Sequence, residues 1–220
     1  MITEIITDID KLCCRADEFN LMKSGVEVRK VIINLKDTIR EHNLKSLTAP
    51  QIGSNYRVMV INFDGELRTF CNPIIMKTDK LTLSKETCSS IPGKTFVIPR
   101  YGKIDIAYLT PMGEPKTVQL LGVAAEVFQH AIDHLDGILV SDIGLEIDDD
   151  FDKAPEDERQ EVINAYLESL DIKLNTLKED IKQDDTLSKL DEAIDFMAGV
   201  QTGKVKLIDI KELNGKTMNE

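Results

Sequence analysis

Two histidines four residues apart are the residues of this sequence best placed to do chemistry. His130 and His134 lie in the segment QHAIDHLDG at 129–137. On one helix, side chains at i and i+4 project from the same face, with Cβ atoms ~6 Å apart, so two imidazoles can reach one divalent ion. A histidine on an apolar helix is also often a hydrogen-bonded core residue. The spacing alone therefore leaves a metal site and a structural pair both open.

A third candidate ligand is Cys88, in the segment SKETCSSIPG at 84–93. The Ser, Thr, Gly and Pro content of this segment predicts a loop that exposes a thiolate. One sulfur and two imidazoles would leave a fourth coordination position for water, as in catalytic rather than structural zinc sites. The alternative for Cys88 is a plain buried thiol. The four cysteines, Cys13, Cys14, Cys71 and Cys88, are too few and too irregularly spaced for a disulfide scaffold.

The elements that must position these residues follow from hydrophobic periodicity. Residues 26–42 carry an apolar stripe at helical spacing and predict an amphipathic helix. Short β-like runs separated by turn residues then predict antiparallel meanders rather than βαβ units. Residues 122–137 predict a helix that is apolar over most of its circumference and therefore buried between layers of sheet. The expected fold is α+β, with antiparallel or mixed β-sheets around a buried central helix that carries both histidines.

The distribution of charge divides the chain into two regions. The formal net charge is -12, and residues 146–195 hold 18 acidic and 6 basic residues, so the rest of the chain is balanced. We therefore expect two domains, 1–145 and 146–220. An acidic chain is a poor partner for duplex nucleic acid or an anionic membrane, because the electrostatic term has the wrong sign. Neither a long apolar run nor a signal-like start is present, so we expect a cytoplasmic protein.

The acidic second region predicts a mostly helical extension. Residues 155–182 have apolar positions at helical spacing, and Pro155 fits the first turn. Residues 187–197 predict a further helix, and residues 204–211 a short terminal strand. The apolar stripe could pack on its own domain, mediate self-association or bind a protein partner.

Three motifs resemble those of peptide deformylase, the hydrolase that removes the formyl group from the starting methionine of new proteins. LTAPQIG at 47–53 is similar to Gly-x-Gly-x-Ala-Ala-x-Gln of that family, and ETCSS at 86–90 to Glu-Gly-Cys-Leu-Ser. QHAIDHLDG is similar to Gln-His-Glu-x-Asp-His-Leu-x-Gly. The likeness covers roughly residues 1 to 145.

The resemblance implies a role for each residue in these motifs. The ligands of one divalent ion, Fe²⁺ or Zn²⁺ with Ni²⁺ or Co²⁺ also accepted, would be Cys88, His130 and His134. The donors to the formyl oxygen would be Gln51 and the backbone N-H of Ser89. The residues that orient the ligand-bearing segments would be Glu86, Arg100 and Asp133. Ordinary surface ion pairing is the alternative for those last three.

One departure from the motifs bears directly on catalysis. Ala131 stands where the family has the glutamate that takes a proton from the water and passes it to the leaving amine. A lost general base or acid costs ~10²–10⁴ in rate. A helix turns ~100° per residue, so Ala131 and Asp133 project on opposite sides of the bisector of the two histidine directions. Asp133 is therefore a poor substitute for a carboxylate at position 131. The expected function is hydrolysis of N-formylmethionyl peptides or nascent chain N-termini, with reduced or lost activity.

Other departures affect positions expected to contact substrate. Leu44 and Ser46 stand at the two glycines of the first motif, and Thr48 at an alanine. Thr87 replaces the glycine before the cysteine, where a glycine-only conformation would strain it. A catalytically inactive protein of the same fold, which binds metal and peptide or a protein partner, is the alternative function.

Overall fold

Helices and one antiparallel sheet make up the part of the chain that the structure describes. This computed structural model describes residues 1–148 and 150–182, of which residues 22 and 171–182 by their backbone alone. The helices are α1 (Ile9–Leu12), α2 (Leu21–His42), α3 (Val123–Leu135), α4 (Val140–Ile143) and α5 (Glu156–Lys182). The strands are β1 (Ser46–Thr48), β2 (Val58–Phe63), β3 (Glu66–Cys88), β4 (Ile91–Leu109), β5 (Pro115–Leu121) and β6 (Leu145–Ile147). Short 3-10 turns span Pro50–Ile52 and Phe151–Lys153.

The sheet has the strand order β1-β2-β3-β4-β5, with β6 also paired to β4, and every one of these pairs is antiparallel. The predicted α+β class with antiparallel pairing is confirmed. Contacts separate Met1–Lys153 from a second unit that begins at Ala154. The boundary predicted at 145/146 stays a prediction.

Strand β2 is buried on both faces, which explains its uninterrupted apolar run VMVI. Val58 and Val60 pack in a cluster with the buried stripe of α2, whereas Met59 and Ile61 pack in another with α3. Side chains alternate between the two faces of a strand, so a run without polar positions is expected only where both faces are covered. The sheet is therefore a layer between α2 and α3.

Helix α3 carries both histidines and contacts all five strands from β1 to β5. Most of its apolar residues are buried, and Phe128, Ala131 and Leu135 are entirely so, whereas Val123 in the first turn is exposed. Gly137 has a φ of 75° just beyond its end. A Cβ there would lie 2.8 Å from the carbonyl carbon of Cys13, so only glycine lets the N-terminal segment cross the end of the helix.

Several expectations from the sequence need correction. Cys88 does not lie in a loop, because the backbone from Glu66 to Cys88 is one long strand that pairs with β4. The predicted short runs at 66–75 and 94–110 belong to strands of 23 and 19 residues. Pro155 immediately precedes α5 instead of lying in its first turn. The helix predicted at 187–197 and the strand predicted at 204–211 lie outside the described residues.

Within the described ranges, no helix has the length and apolar character needed to cross a membrane. Helix α5 occupies the place of the second amphipathic helix predicted from residues 155–182. Its role in self-association or partner binding stays a prediction.

Candidate metal centre

The candidate site is built where alternate residues of β3 meet successive turns of α3. Two strand residues advance ~6.6 Å and one helical turn advances ~5.4 Å, so contacts between parallel-running elements can repeat in step. Three such contacts are present. They are Ser84 Oγ to Glu126 Oε2 at 3.0 Å, Glu86 Oε2 to His130 Nδ1 at 2.9 Å, and Cys88 Sγ to His134 Nε2 at 3.2 Å. We call this set of contacts the strand–helix ladder.

The last two steps of the ladder bring the three candidate ligands together. One ligand atom each from Cys88, His130 and His134 lies within 4.8 Å of the other two. The imidazole ring centroids are 5.1 Å apart. Cys88 and His134 are buried, and His130 is partly buried. The fold thus places one sulfur and two nitrogens around a common point.

The charges of this group favour a thiolate. Burial would raise the pKa of the Cys88 thiol, but hydrogen bonds from His130 and His134 lower it to about 5. Burial would likewise lower the pKa of His130, but hydrogen bonds to Cys88 and Glu86 raise it to about 9. The thiolate is the form in which cysteine binds metal ions.

A buried ion network supports the ligand-bearing segments. Arg100 donates from Nε and Nη2 to the two oxygens of Glu86, at 2.7 and 3.0 Å, and from Nη1 to Asp133 at 2.6 Å. Burial opposes ionisation of Glu86, yet bonds from His130 and Arg100 hold its pKa at about 2. Burial raises the pKa of Asp133 against the influence of Arg100. The Arg100 side chain is only 5% exposed, so these are not surface ion pairs.

The donor set fits a divalent cation. A thiolate and two imidazoles suit zinc and comparable transition metals. Because Nδ1 of His130 contacts Glu86, its other ring nitrogen is left available as a ligand, an arrangement typical of metal-binding histidines. Nδ1 of His134 is buried without a hydrogen-bond partner among the described residues.

Gln51 lies beside the ligands, with its side-chain amide held in one orientation. The backbone N-H and the hydroxyl of Thr48 both donate to Gln51 Oε1, at 3.0 and 3.1 Å. The Nε2 group consequently points to Ser89 and Ser90, whose hydroxyls lie 3.4 and 3.2 Å away. The two serines form the turn that joins β3 to β4. Reasoning from the sequence missed Thr48, which it treated only as a source of crowding, and Ser90.

Thr87 does not show the strain expected of a residue at a glycine position. It lies in β3 opposite Thr95, and it is not among the residues with a positive φ. An extended backbone suits threonine, so this replacement changes the side chain without distorting the strand.

Ala131 leaves no carboxylate at its position in the site. Its side chain is fully buried in the hydrophobic cluster between α3 and the sheet. Asp133, the nearest alternative along the helix, is bound to Arg100. Neither residue presents a group that could accept a proton beside the three ligands.

A cavity of about 420 Å³ adjoins the ligands. Gln51, Cys88, Ser89 and His130 line one part of it. The first step of the strand–helix ladder, Ser84 with Glu126, lines another part. Neither residue was singled out from the sequence, although Ser84 alternates with Glu86 and Cys88, and Glu126 lies one helical turn before His130.

Comparisons with known proteins agree with the geometry of the site. The family model for polypeptide deformylase matches residues 3–147. A peptide deformylase of Dictyoglomus turgidum is 32% identical over 124 residues, covering 56% of this chain and 81% of the relative. One from Desulfitobacterium hafniense is 36% identical over 115 residues, covering 52% and 77%.

Solved structures give the same result. The peptide deformylase of Thermotoga maritima has a TM-score of 0.62 and 30% identity, covering 65% of this chain and 97% of that one. The fold of a peptide deformylase from Legionella pneumophila is also similar, with a TM-score of 0.62 at 24% identity, covering 79% and 98%.

Proposed function

Because the chain belongs to the polypeptide deformylase family, we propose that it binds N-formylated peptides at a divalent metal centre and hydrolyses their formyl group only slowly. The observation that supports this proposal is the convergence of Cys88, His130 and His134 beside a cavity, with Ala131 in the place of a general base. The family acts on N-formylated nascent peptides, and the same class of ligand is proposed here.

Cys88, His130 and His134 hold the ion, which we propose to be Fe²⁺ or Zn²⁺. When bound, a divalent ion supplies Lewis acidity, polarising a carbonyl group and lowering the pKa of water. Glu86 fixes the ring of His130 through Nδ1, and Arg100 fixes Glu86 and Asp133 in turn. The rigid network preorganises the ligands without direct contact to the substrate.

Gln51 and the backbone N-H of Ser89 stabilise the formyl oxygen as it gains negative charge. Thr48 holds the Gln51 carbonyl, so the amide N-H group is the end that faces Ser89 and Ser90, in the turn next to Cys88. A donor that needs no reorientation during the reaction stabilises the transition state most effectively.

Proton transfer is the step for which the side chains nearest the three ligands, Ala131, Glu86 and Asp133, offer no free acceptor. Ala131 has only a methyl group, and the carboxylates of Glu86 and Asp133 are occupied by Arg100. The site would still bind the peptide and polarise its formyl group, but the proton would have to move through solvent. Hydrolysis would then be slower by ~10²–10⁴ than with a positioned general base. The same observation favours a second function, in which the protein binds formylated peptides without turnover.

Metal content tests the centre. Purified anaerobically, the protein should carry about one divalent ion per chain, and Cys88→Ala should lose it because three ligands become two. Cys71→Ala is the matched control, since Cys71 is also a buried free thiol but lies outside the site. Elemental analysis of the three proteins measures their metal content, and titration with formyl tripeptides measures peptide binding. Equal metal content in the Cys88 and Cys71 variants would contradict the assigned ligands.

A further inference from the structure

The cavity beside the metal centre carries an acidic group that the proposed function does not use. Glu126 lies on α3 one turn before His130, so both project from the same face of the helix. Its carboxylate accepts a hydrogen bond from the buried hydroxyl of Ser84 at 3.0 Å. Both residues line the cavity that also contains Cys88 and His130.

The Glu126 carboxylate has no cation beside it among the described residues. Of the basic side chains near the cavity, Lys85 is paired with Asp152, and Arg100 is occupied by Glu86 and Asp133. Lys45 lines the cavity from an exposed position and forms no ion pair with Glu126. A carboxylate can accept several hydrogen bonds, and Ser84 supplies one.

The position of this carboxylate relative to the ligands fits the side chain of a bound peptide. The Ser84–Glu126 contact is one ladder step from Glu86–His130, about 6 Å along the strand. A peptide whose formyl group lies at Gln51 and the metal ligands would extend its first side chain into the same cavity. The four-carbon stem of a lysine is long enough to cross one such step.

We propose that Glu126, held by Ser84, selects N-formyl peptides whose first residue has a basic side chain. This inference rests on the proposed function, because it takes the metal centre as the place where the formyl group binds. An ammonium or guanidinium group would donate a charge-assisted hydrogen bond to the Glu126 carboxylate, and such a bond is about twice as strong as a neutral one. An apolar side chain would instead remove water from the carboxylate without replacing its hydrogen bonds.

Calorimetric titration of the zinc-loaded protein with three peptides tests the inference without relying on turnover. Formyl-Lys-Ala-Ser is compared with formyl-norleucyl-Ala-Ser, which keeps the same carbon stem without the ammonium, and with formyl-Met-Ala-Ser. We expect the lysine peptide to bind about tenfold more tightly than the other two, since one charged hydrogen bond separates them.

Two substitutions at one position sharpen the test. Glu126→Gln keeps the size and loses the charge, so the preference for lysine should fall to about twofold or less. Glu126→Leu should reverse the preference in favour of norleucine. Glu114→Gln is the matched control, because Glu114 is an exposed glutamate outside the cavity and should leave the preference intact. Thermal melting of each variant checks that the fold is retained.

The outcomes separate the two proposals. If norleucine or methionine peptides bind as well as the lysine peptide, or if Glu126→Gln retains the full preference, selection by Glu126 is wrong while peptide binding stands. If none of the three formyl peptides binds the metal-loaded protein, the proposed function fails, and selection by Glu126 fails with it.

Discussion

Replacing Ala131 with glutamate should strongly raise the rate at which the protein releases formate from formyl peptides. The change adds a carboxylate one residue after His130, on the helix that also carries His134. A positioned general base and acid contributes ~10²–10⁴ in rate. This factor corresponds to a barrier lower by about 2.7–5.5 kcal/mol.

The same substitution should lower the free energy of unfolding, and the burial of Ala131 indicates by how much. Ala131 is fully buried in the cluster between α3 and the sheet, so a longer side chain must displace neighbours. Overpacking of a core position costs about 1–3 kcal/mol, against a total stability of about 5–15 kcal/mol for a typical domain. The variant should therefore unfold at lower urea concentration and still fold.

The assay is anaerobic release of formate from formyl-Met-Ala-Ser and formyl-Lys-Ala-Ser, with both peptides used so that the result does not depend on side-chain preference. Ala131→Gln is the control, because it has nearly the same size and stability cost but cannot accept the proton. Glutamate should exceed both alanine and glutamine by at least ~100-fold. Equal rates for the glutamate and glutamine variants, with metal bound in each, would refute the assignment of position 131 as the missing base.

Two further outcomes follow from the buried groups. Arg100→Gln leaves two carboxylates without their cation, so the free energy of unfolding should fall by about 3–5 kcal/mol and the metal affinity by about 10–100-fold. Arg68→Gln is the control, because it breaks an exposed Arg–Glu pair of similar geometry and should change neither quantity appreciably. Burial raises the pKa of Cys71 to about 12, so iodoacetamide at about pH 8 should label the exposed Cys13 and Cys14 in the native metal-loaded protein and reach Cys71 only after unfolding. Peptide mapping distinguishes the thiols, and rapid native labelling of Cys71 would contradict its burial.

Some features of the site were predictable because they depend on residues close together in the chain. The i, i+4 spacing places His130 and His134 on one face of any helix, and the apolar circumference of that helix predicts that it is buried. The absence of a carboxylate at Ala131 is likewise a property of the sequence. Antiparallel pairing followed from strands separated by short turns, since parallel strands need long crossovers.

The secondary structure around Cys88 was predicted wrongly for a physical reason. The Ser, Thr, Gly and Pro residues of 84–93 are typical of loops, but pairing with β4 supplies hydrogen bonds to this backbone along the strand. Pairing with the neighbouring strand of the hairpin therefore overrides the propensity of the individual residues here. The strain expected at Thr87 disappears for the same reason.

The sequence by itself determined which groups are present and which one is missing: a thiol, two imidazoles on one helical face, and no base at position 131. Only the tertiary structure decided which partner each group meets. Cys88 contacts His134 across 46 positions and Ser84 contacts Glu126 across 42. Such contacts depend on the register of β3 against α3, where the rise of two strand residues nearly equals that of one helical turn. That match puts the carboxylate of Glu126 in the same cavity as the metal ligands, and no periodicity within either segment encodes it.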